Sequence, residues 1–302
     1  MYPERRLRLH PGRLTKTHPH PPILRGRTHS GPASQCCRAT VSGMNTRVPA
    51  TLLDGRVAIV TGAARGVGKG IAAALTERGA SVLLVDRDDE LLHATTDDLR
   101  KSGRAVEALM ADLRDPDSAR HIVATTLDRF GTVHGLVNNA IATNEPKPFQ
   151  DITREDYDLV FDVGPRATFE LMQAVYPVFV DNGGGSIVNL GSGSGTIGLP
   201  RFGAYAGAKE AIRGMSKVAA LEWGRLSIRV NVVCPYAETE SIRTWREWDP
   251  KTYERTVRGV PMGRLGDVVT DIGPAVAFLL SDEAAFVTAQ TIMLDGGAAG
   301  FR

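Results

Sequence analysis

Cysteine is scarce in this chain of 302 residues, which has only Cys36, Cys37 and Cys234. An odd number without a Cys-x-x-Cys pair argues against a disulfide framework and fits a reducing, cytoplasmic setting. Cys36 and Cys37 lie in the same stretch as His10, His18, His20 and His29, but the spacing follows no common ligand pattern, so no metal site is expected. Long apolar runs are also missing. None approaches the roughly eighteen residues that cross a bilayer, and the first residues lack the apolar stretch of a secretory signal, so no membrane partner is expected.

A strong overall charge is missing as well, with 36 Lys and Arg against 34 Asp and Glu. The balance conceals an uneven distribution. Residues 1–53 carry nine of the basic side chains and a single acid, Glu4, which leaves 27 basic and 33 acidic residues in the remainder, a net charge of −6. A body of that sign offers no broad cationic face, so no nucleic-acid partner is expected. Residues 1–53 are rich in Pro, Arg, His, Ser and Thr and follow neither period 2 nor period 3.6. Such a segment cannot bury enough surface to offset its ordering entropy and is expected to be a disordered basic extension. Natural translation is expected to begin at Met44, which would remove most of it.

From residue 54 to 302 short apolar runs alternate with helical patterns, as expected of a single α/β domain. Strands are expected at 57–61, 81–86, 105–111, 135–138, 186–190, 228–234 and 291–294. Helices are expected from about 66, through 99, at 118–130, from 154, from 205 and at 275–280. Strands that read as nearly unbroken apolar runs suit a parallel sheet covered by helices on both faces.

Three glycines, Gly62, Gly66 and Gly68, follow the first strand and open the first helix. There, absent side chains let backbone N–H groups approach a pyrophosphate, whose charge the helix start favours. Asp86 ends the next strand about twenty residues on, where a carboxylate can hold the hydroxyls of an adenosine ribose and would repel a 2′-phosphate. NAD is therefore favoured over NADP, although Arg65 and Arg87 are placed to reach a phosphate. Farther along, Tyr205 and Lys209 stand four apart, on one face of a helix, with Ser192 thirteen residues upstream. A neighbouring cation favours phenolate and moves a tyrosine toward general acid/base duty. The whole combination points to nicotinamide-dependent redox chemistry.

Taken together, residues 61–68, Asp112, Asn138-Asn139-Ala140, Ile187-Val188-Asn189, Ser192, Tyr205 with Lys209, and Arg229-Val230-Asn231 with Pro235 resemble the short-chain dehydrogenase/reductase family. The likeness runs from Gly55 to the end and implies a seven-stranded, doubly wound parallel sheet of Rossmann type. It implies that Tyr205 exchanges a proton with the substrate oxygen, that Ser192 polarises that oxygen, and that Lys209 binds the nicotinamide ribose and lowers the tyrosine pKa. Cofactor contacts are implied for Gly62, Ala64, Arg65, Gly66, Val67 and Gly68 in the first turn, and for Asp86 and Arg87 after the second strand. Further contacts are implied for Asp112 and Leu113, for Asn139 and Ala140, and for Pro235 and Tyr236. A homotetramer or homodimer is implied, with the helices from Arg154 and Tyr205 in contact between subunits.

Three positions depart from the family pattern. Ile141 and Tyr236 stand where glycine is usual, and Gly164 stands where the family places a catalytic asparagine. Gly164 retains the backbone carbonyl through which that asparagine holds a water, and Pro165 is expected to kink the helix there. Specialised turnover is expected, with Gly164→Asn changing the pH profile only modestly. Trp245, Trp248 and Tyr253 fall in the position of the family's mobile lid, and the two tryptophans are expected to share a face over the pocket. With Ser194 and Phe149, and with Thr196 and Phe202 as further candidates, Trp245 suggests a bulky apolar alcohol or ketone. Two rival readings are an NADP-dependent carbonyl reductase and a catalytically weak dinucleotide-sensing or scaffold protein.

Overall fold

The computed structural model describes residues 52–101, 103 and 105–299. The expected basic extension lies outside the described residues as far as position 51. The described residues form a seven-stranded sheet in the order β3-β2-β1-β4-β5-β6-β7, with every pairing parallel. The strands are β1 (Val57–Thr61), β2 (Ser81–Asp86), β3 (Val106–Met110), β4 (Gly135–Asn138), β5 (Gly185–Leu190), β6 (Ile228–Pro235) and β7 (Thr291–Leu294). The chain runs outward from β1 to β3 and then returns to pair β4 with the other side of β1, so a crevice opens above the β1/β4 boundary.

The alternation of strand side chains divides the core into two layers. Ala58, Val60, Val82 and Leu84 pack with Ile71 and Leu75 of α1 (Gly66–Glu77) and with Val276 and Leu279 of α10 (Gly273–Leu280). Their neighbours Ile59, Leu83 and Val85 face the other way. They pack with Ile122 of α3 (Ser118–Phe130) and with Leu171, Val175 and Phe179 of α5 (Ala167–Asp181). Each fully buried Leu, Ile or Phe contributes about 1.5–3 kcal/mol relative to exposure, which is why both faces of the strands are apolar. The remaining helix beside β2 is α2 (Asp89–Arg100), capped by the Asp88 carboxylate, which accepts from the Leu91 N–H at 3.3 Å.

The helical stretch from Arg154 is broken where Pro165 predicts. It consists of α4 (Arg154–Phe161), one turn of π-helix (Asp162–Arg166) and then α5. Pro165 has no N–H to continue the ladder, and the Ala167 N–H reaches back to the carbonyls of Asp162 and Gly164. After β5 come the short α6 (Gly193–Ile197) and the long α7 (Gly203–Trp223).

Two helices between β6 and β7 were not resolved by periodicity: α8 (Glu240–Trp248) and α9 (Pro250–Arg258). Thr239 caps the first and Asp249 the second, with Pro250 in the first turn of α9. Neither has a buried residue. Their segment is tied at its neck by a parallel bridge between Ala237 and Gly266. There the Glu238 N–H donates to the Gly266 carbonyl at 2.8 Å, and the Gly266 N–H donates to the Tyr236 carbonyl at 3.0 Å.

Candidate active site

At the β1/β4 boundary the glycine-rich turn is held by side chains from three strands. Gly62 has φ +64°, in the left-handed region, and a Cβ there would lie 2.8 Å from Asn139 Nδ2. A Cβ on Gly68 would lie 2.1 Å from the Gly62 carbonyl oxygen, so the turn and the helix start touch through bare backbone. Asn139 Nδ2 donates to the carbonyls of Thr61 and Gly62 at 2.9 and 3.0 Å. The Thr61 hydroxyl accepts from the N–H groups of Asn139 and Ala140, each at 3.1 Å. Thr95 Oγ1 on α2 donates to the Ala64 carbonyl at 2.8 Å.

A cleft of about 290 Å³ opens beside this turn. It is lined by Gly62, Arg65 and Val67 from the turn and by Asp86 and Arg87 after β2. Asp112 and Leu113 after β3 and Asn139 and Ala140 after β4 complete the predicted wall. These side chains and the bare glycine cradle fit a dinucleotide. Asp86 does two jobs: one oxygen accepts from the Ala64 N–H and the other from the Asp88 N–H, each at 3.1 Å. The Ala64 N–H is thereby committed to Asp86. Asp112 is paired with Arg114, whose guanidinium hydrogen bonds hold the carboxyl down at about 2.

The Gly66 N–H, at the start of α1, donates to Glu240 Oε2 of α8 at 3.1 Å. A carboxylate from the lid thus sits at the helix start that favours a phosphate. Sequence reasoning missed Glu240, because the contact spans the chain from the first glycine turn to the lid.

The residues expected to transfer a proton lie after β5 and on α7, outside the lining of that cleft. Ser192 caps α6 with its hydroxyl, which accepts from the Ser194 N–H at 3.1 Å, and it also hydrogen-bonds the Tyr205 phenol. Tyr205 and Lys209 follow one another up α7, with the ammonium 5.7 Å from the ring centroid. Lys209 is 3% exposed and donates to the Leu190 carbonyl at 2.7 Å. Burial pushes its pKa down to about 8, with the nearby Cys234 thiol opposing that shift.

Burial also raises the Tyr205 pKa above its ordinary value, and the Ser192 hydrogen bond opposes this. Lys209 is not among the groups that shift the phenol in this geometry. With the ammonium turned to the Leu190 carbonyl, desolvation of the phenol wins.

The predicted substrate residues are less concentrated. Phe149 is 79% exposed, with its ring against Gly203 at the start of α7, so it rims the site. Trp245 packs edge-on to Tyr253 of α9 at 5.7 Å between centroids. Trp248 is 82% exposed, which corrects the expectation that both tryptophans cover the pocket. Phe202 meets the Tyr205 ring edge-on at 6.2 Å. Pro235 ends β6, and the N–H of Tyr236, which follows it, is committed to the Leu294 carbonyl at 2.9 Å.

A family model described as enoyl-(acyl carrier protein) reductase matches residues 62–299. A 12alpha-hydroxysteroid dehydrogenase of Clostridium sp. is 38% identical over 82% of this chain and 97% of its own. The chain belongs to the short-chain dehydrogenase/reductase family. A cyclohexanol dehydrogenase of Acinetobacter sp. is 33% identical over 83% of this chain and 97% of its own. The crystal structure of a 3-ketoacyl-(acyl-carrier-protein) reductase from Brucella melitensis complexed with NADH is similar with a TM-score of 0.75 and 29% identity, covering 82% of this chain and 99% of that one. As a short-chain dehydrogenase/reductase, the protein is an NAD(P)-dependent oxidoreductase acting on CH–OH groups.

For this short-chain dehydrogenase/reductase, two of the departures prove to be one feature. A Cβ at Gly164 would lie 2.5 Å from Cδ1 of Ile141. Ile141 fills the space that a side chain at 164 would need, so Gly164→Asn is a steric change as well as a chemical one.

Proposed function

We propose that this chain is an NAD-dependent dehydrogenase or reductase of bulky, ring-containing secondary alcohols and ketones. The observation that carries the reading is the gathering of Ser192, Tyr205 and Lys209, with α7 packed through Ile141 against the cleft that Asp86 lines. Relatives named for a hydroxysteroid and for cyclohexanol support a ring-bearing substrate.

The bound dinucleotide supplies the nicotinamide carbon that gives or takes hydride. Gly62, Gly66 and Gly68 present backbone to its pyrophosphate, and Asp86 holds the adenosine ribose. In ketone reduction Tyr205, kept protonated by burial, gives its proton to the developing alkoxide while Ser192 donates a hydrogen bond to the same oxygen. In alcohol oxidation Tyr205 must accept that proton, and the Lys209 charge stabilises the phenolate from which it starts. Gly164 contributes backbone alone, its carbonyl lying in the π turn beside α7.

Arg65 and Arg87 at the same mouth favour a second reading, an NADP-dependent carbonyl reductase. Fluorescence titration with each reduced dinucleotide separates the two. Tighter binding of NADH is expected; tighter binding of NADPH overturns the NAD assignment. A turnover screen of cyclic and aromatic secondary alcohols tests the substrate class, and exclusive turnover of small linear alcohols would refute it. The assembly belongs to the same proposal. Phe169 on α5 and Val218 and Leu221 on α7 are exposed apolar side chains suited to contacts between copies in a homotetramer.

A further inference from the structure

Ile141 stands at the junction of two structures that have to be held in register for catalysis. On one side it lines the dinucleotide cleft together with Ala142 and Val163. On the other it packs against a small apolar cluster made of Val160 from α4 and Ala204 and Ala208 from α7. Ala204 and Ala208 immediately precede Tyr205 and Lys209, so the cluster is the back of the catalytic face. The Gly164 site receives the Ile141 side chain: Cδ1 lies 2.5 Å from the place of the missing Cβ, and the next neighbour there is Ala208 Cβ at 4.0 Å.

Gly164 and Pro165 are both buried within the π turn, which joins α4 to α5 and also packs on α7. An isoleucine entering a glycine notch in that turn is a spacer: its β-branch restricts χ1, and dense packing around the notch limits where the terminal carbon can go.

We propose that Ile141 is a positioning residue: seated in the Gly164 notch, it sets the separation between the dinucleotide cleft and the helix that carries Tyr205 and Lys209. The inference rests on the dehydrogenase/reductase reading of that cleft. Neither side chain touches the reacting atoms. They act by fixing where the phenol stands, and a displacement near 1 Å in such a site costs roughly 100-fold in rate.

The test is a cycle of Ile141→Ala, Gly164→Ala and the double variant, with Ile141→Val as the step that removes Cδ1 alone. Gly164→Ala is expected to lower kcat by roughly 10- to 100-fold, since the added methyl drives Ile141 or the turn aside. Ile141→Ala is expected to lower kcat by roughly 10-fold, with KM and the affinity for reduced dinucleotide changing less than kcat. The double variant regains activity over Gly164→Ala, and Ile141→Val, which lacks the Cδ1 seated in the notch, falls between the parent and Ile141→Ala. Crystal structures supply a readout independent of turnover: the Tyr205–Ser192 hydrogen bond is lengthened in Gly164→Ala and returns in the double variant.

Losses that multiply in the double variant, or an unmoved Tyr205 in Gly164→Ala, overturn the proposal. Failure of the underlying function appears separately, as a parent protein that binds neither dinucleotide or binds one without any turnover. In that event the crystal structures still decide whether Ile141 positions Tyr205.

Discussion

The nucleotide end and the lid of this molecule are built on opposite principles. Around the glycine turn, Thr61, Asn139, Asp86 and Thr95 each tie backbone groups of one strand or helix to another, and bare glycines leave no slack between them. In the lid, α8 and α9 have no buried residue, and apart from the Glu240 contact to Gly66 the polar contacts are short-range: Tyr253 donates to Glu238 at 3.4 Å and Arg246 pairs with the same carboxylate. The first arrangement pre-organises a site whose ligand has fixed geometry. The second leaves a segment held by few and mostly exposed contacts.

The largest expected effect sharpens the contrast between binding and chemistry. Tyr205→Phe removes the exchanging proton and should cut kcat by about 10²–10⁴-fold while dinucleotide affinity, read by fluorescence, stays within a factor of a few. Near-normal turnover in that variant would transfer the acid/base role elsewhere. Next comes the rigid end. Gly68→Ala forces a methyl onto the Gly62 carbonyl, so it is expected to destabilise the fold by about 1–3 kcal/mol in urea unfolding and to weaken dinucleotide binding. A neutral result would mean that the turn is as compliant as the lid.

A smaller effect concerns the buried ammonium. The folded Lys209 pKa of about 8 lies below its ordinary 10.5. Between those values the unfolded chain binds a proton that the folded chain does not, so folding is favoured increasingly as pH rises through that window. Lys209→Met lacks this dependence. The stability difference between wild type and variant should therefore move toward wild type from pH 8 to pH 10, and a flat difference would show the ammonium to be better solvated than its burial indicates.

The smallest prediction tests whether the lid is sensed by the cleft. Glu240→Gln removes a negative charge from the start of α1, and the dinucleotide dissociation constant should fall by about two- to fivefold at low salt, less at high salt. An unchanged constant would separate the two regions altogether.

Much of the architecture was legible because apolar runs and turn residues agree. β1, β4 and β7 have the bounds that alternating runs predict, and Pro165 foretells the break before α5. The lid helices were harder to read because they are short and mostly polar, with a face that is only half-buried along Ile242, Trp245, Tyr253 and Val257. In the site, local motifs were readable from spacing: the glycine turn, and Tyr205 with Lys209. What escaped depends on contacts between distant segments. Ile141 and Gly164 were each visible as departures, but only their proximity makes them a knob and its socket. Glu240 carried no signature in its neighbours, and the direction of the Tyr205 shift follows from how deeply the phenol is enclosed.

The bridge between Ala237 and Gly266 joins the two ends of everything that separates β6 from the approach to α10. A loop cinched in this way is a detachable cassette: its length and side chains can drift without disturbing strand register. Evolution, or a protein engineer, can therefore exchange the cover to admit a new substrate while keeping the same parallel sheet underneath.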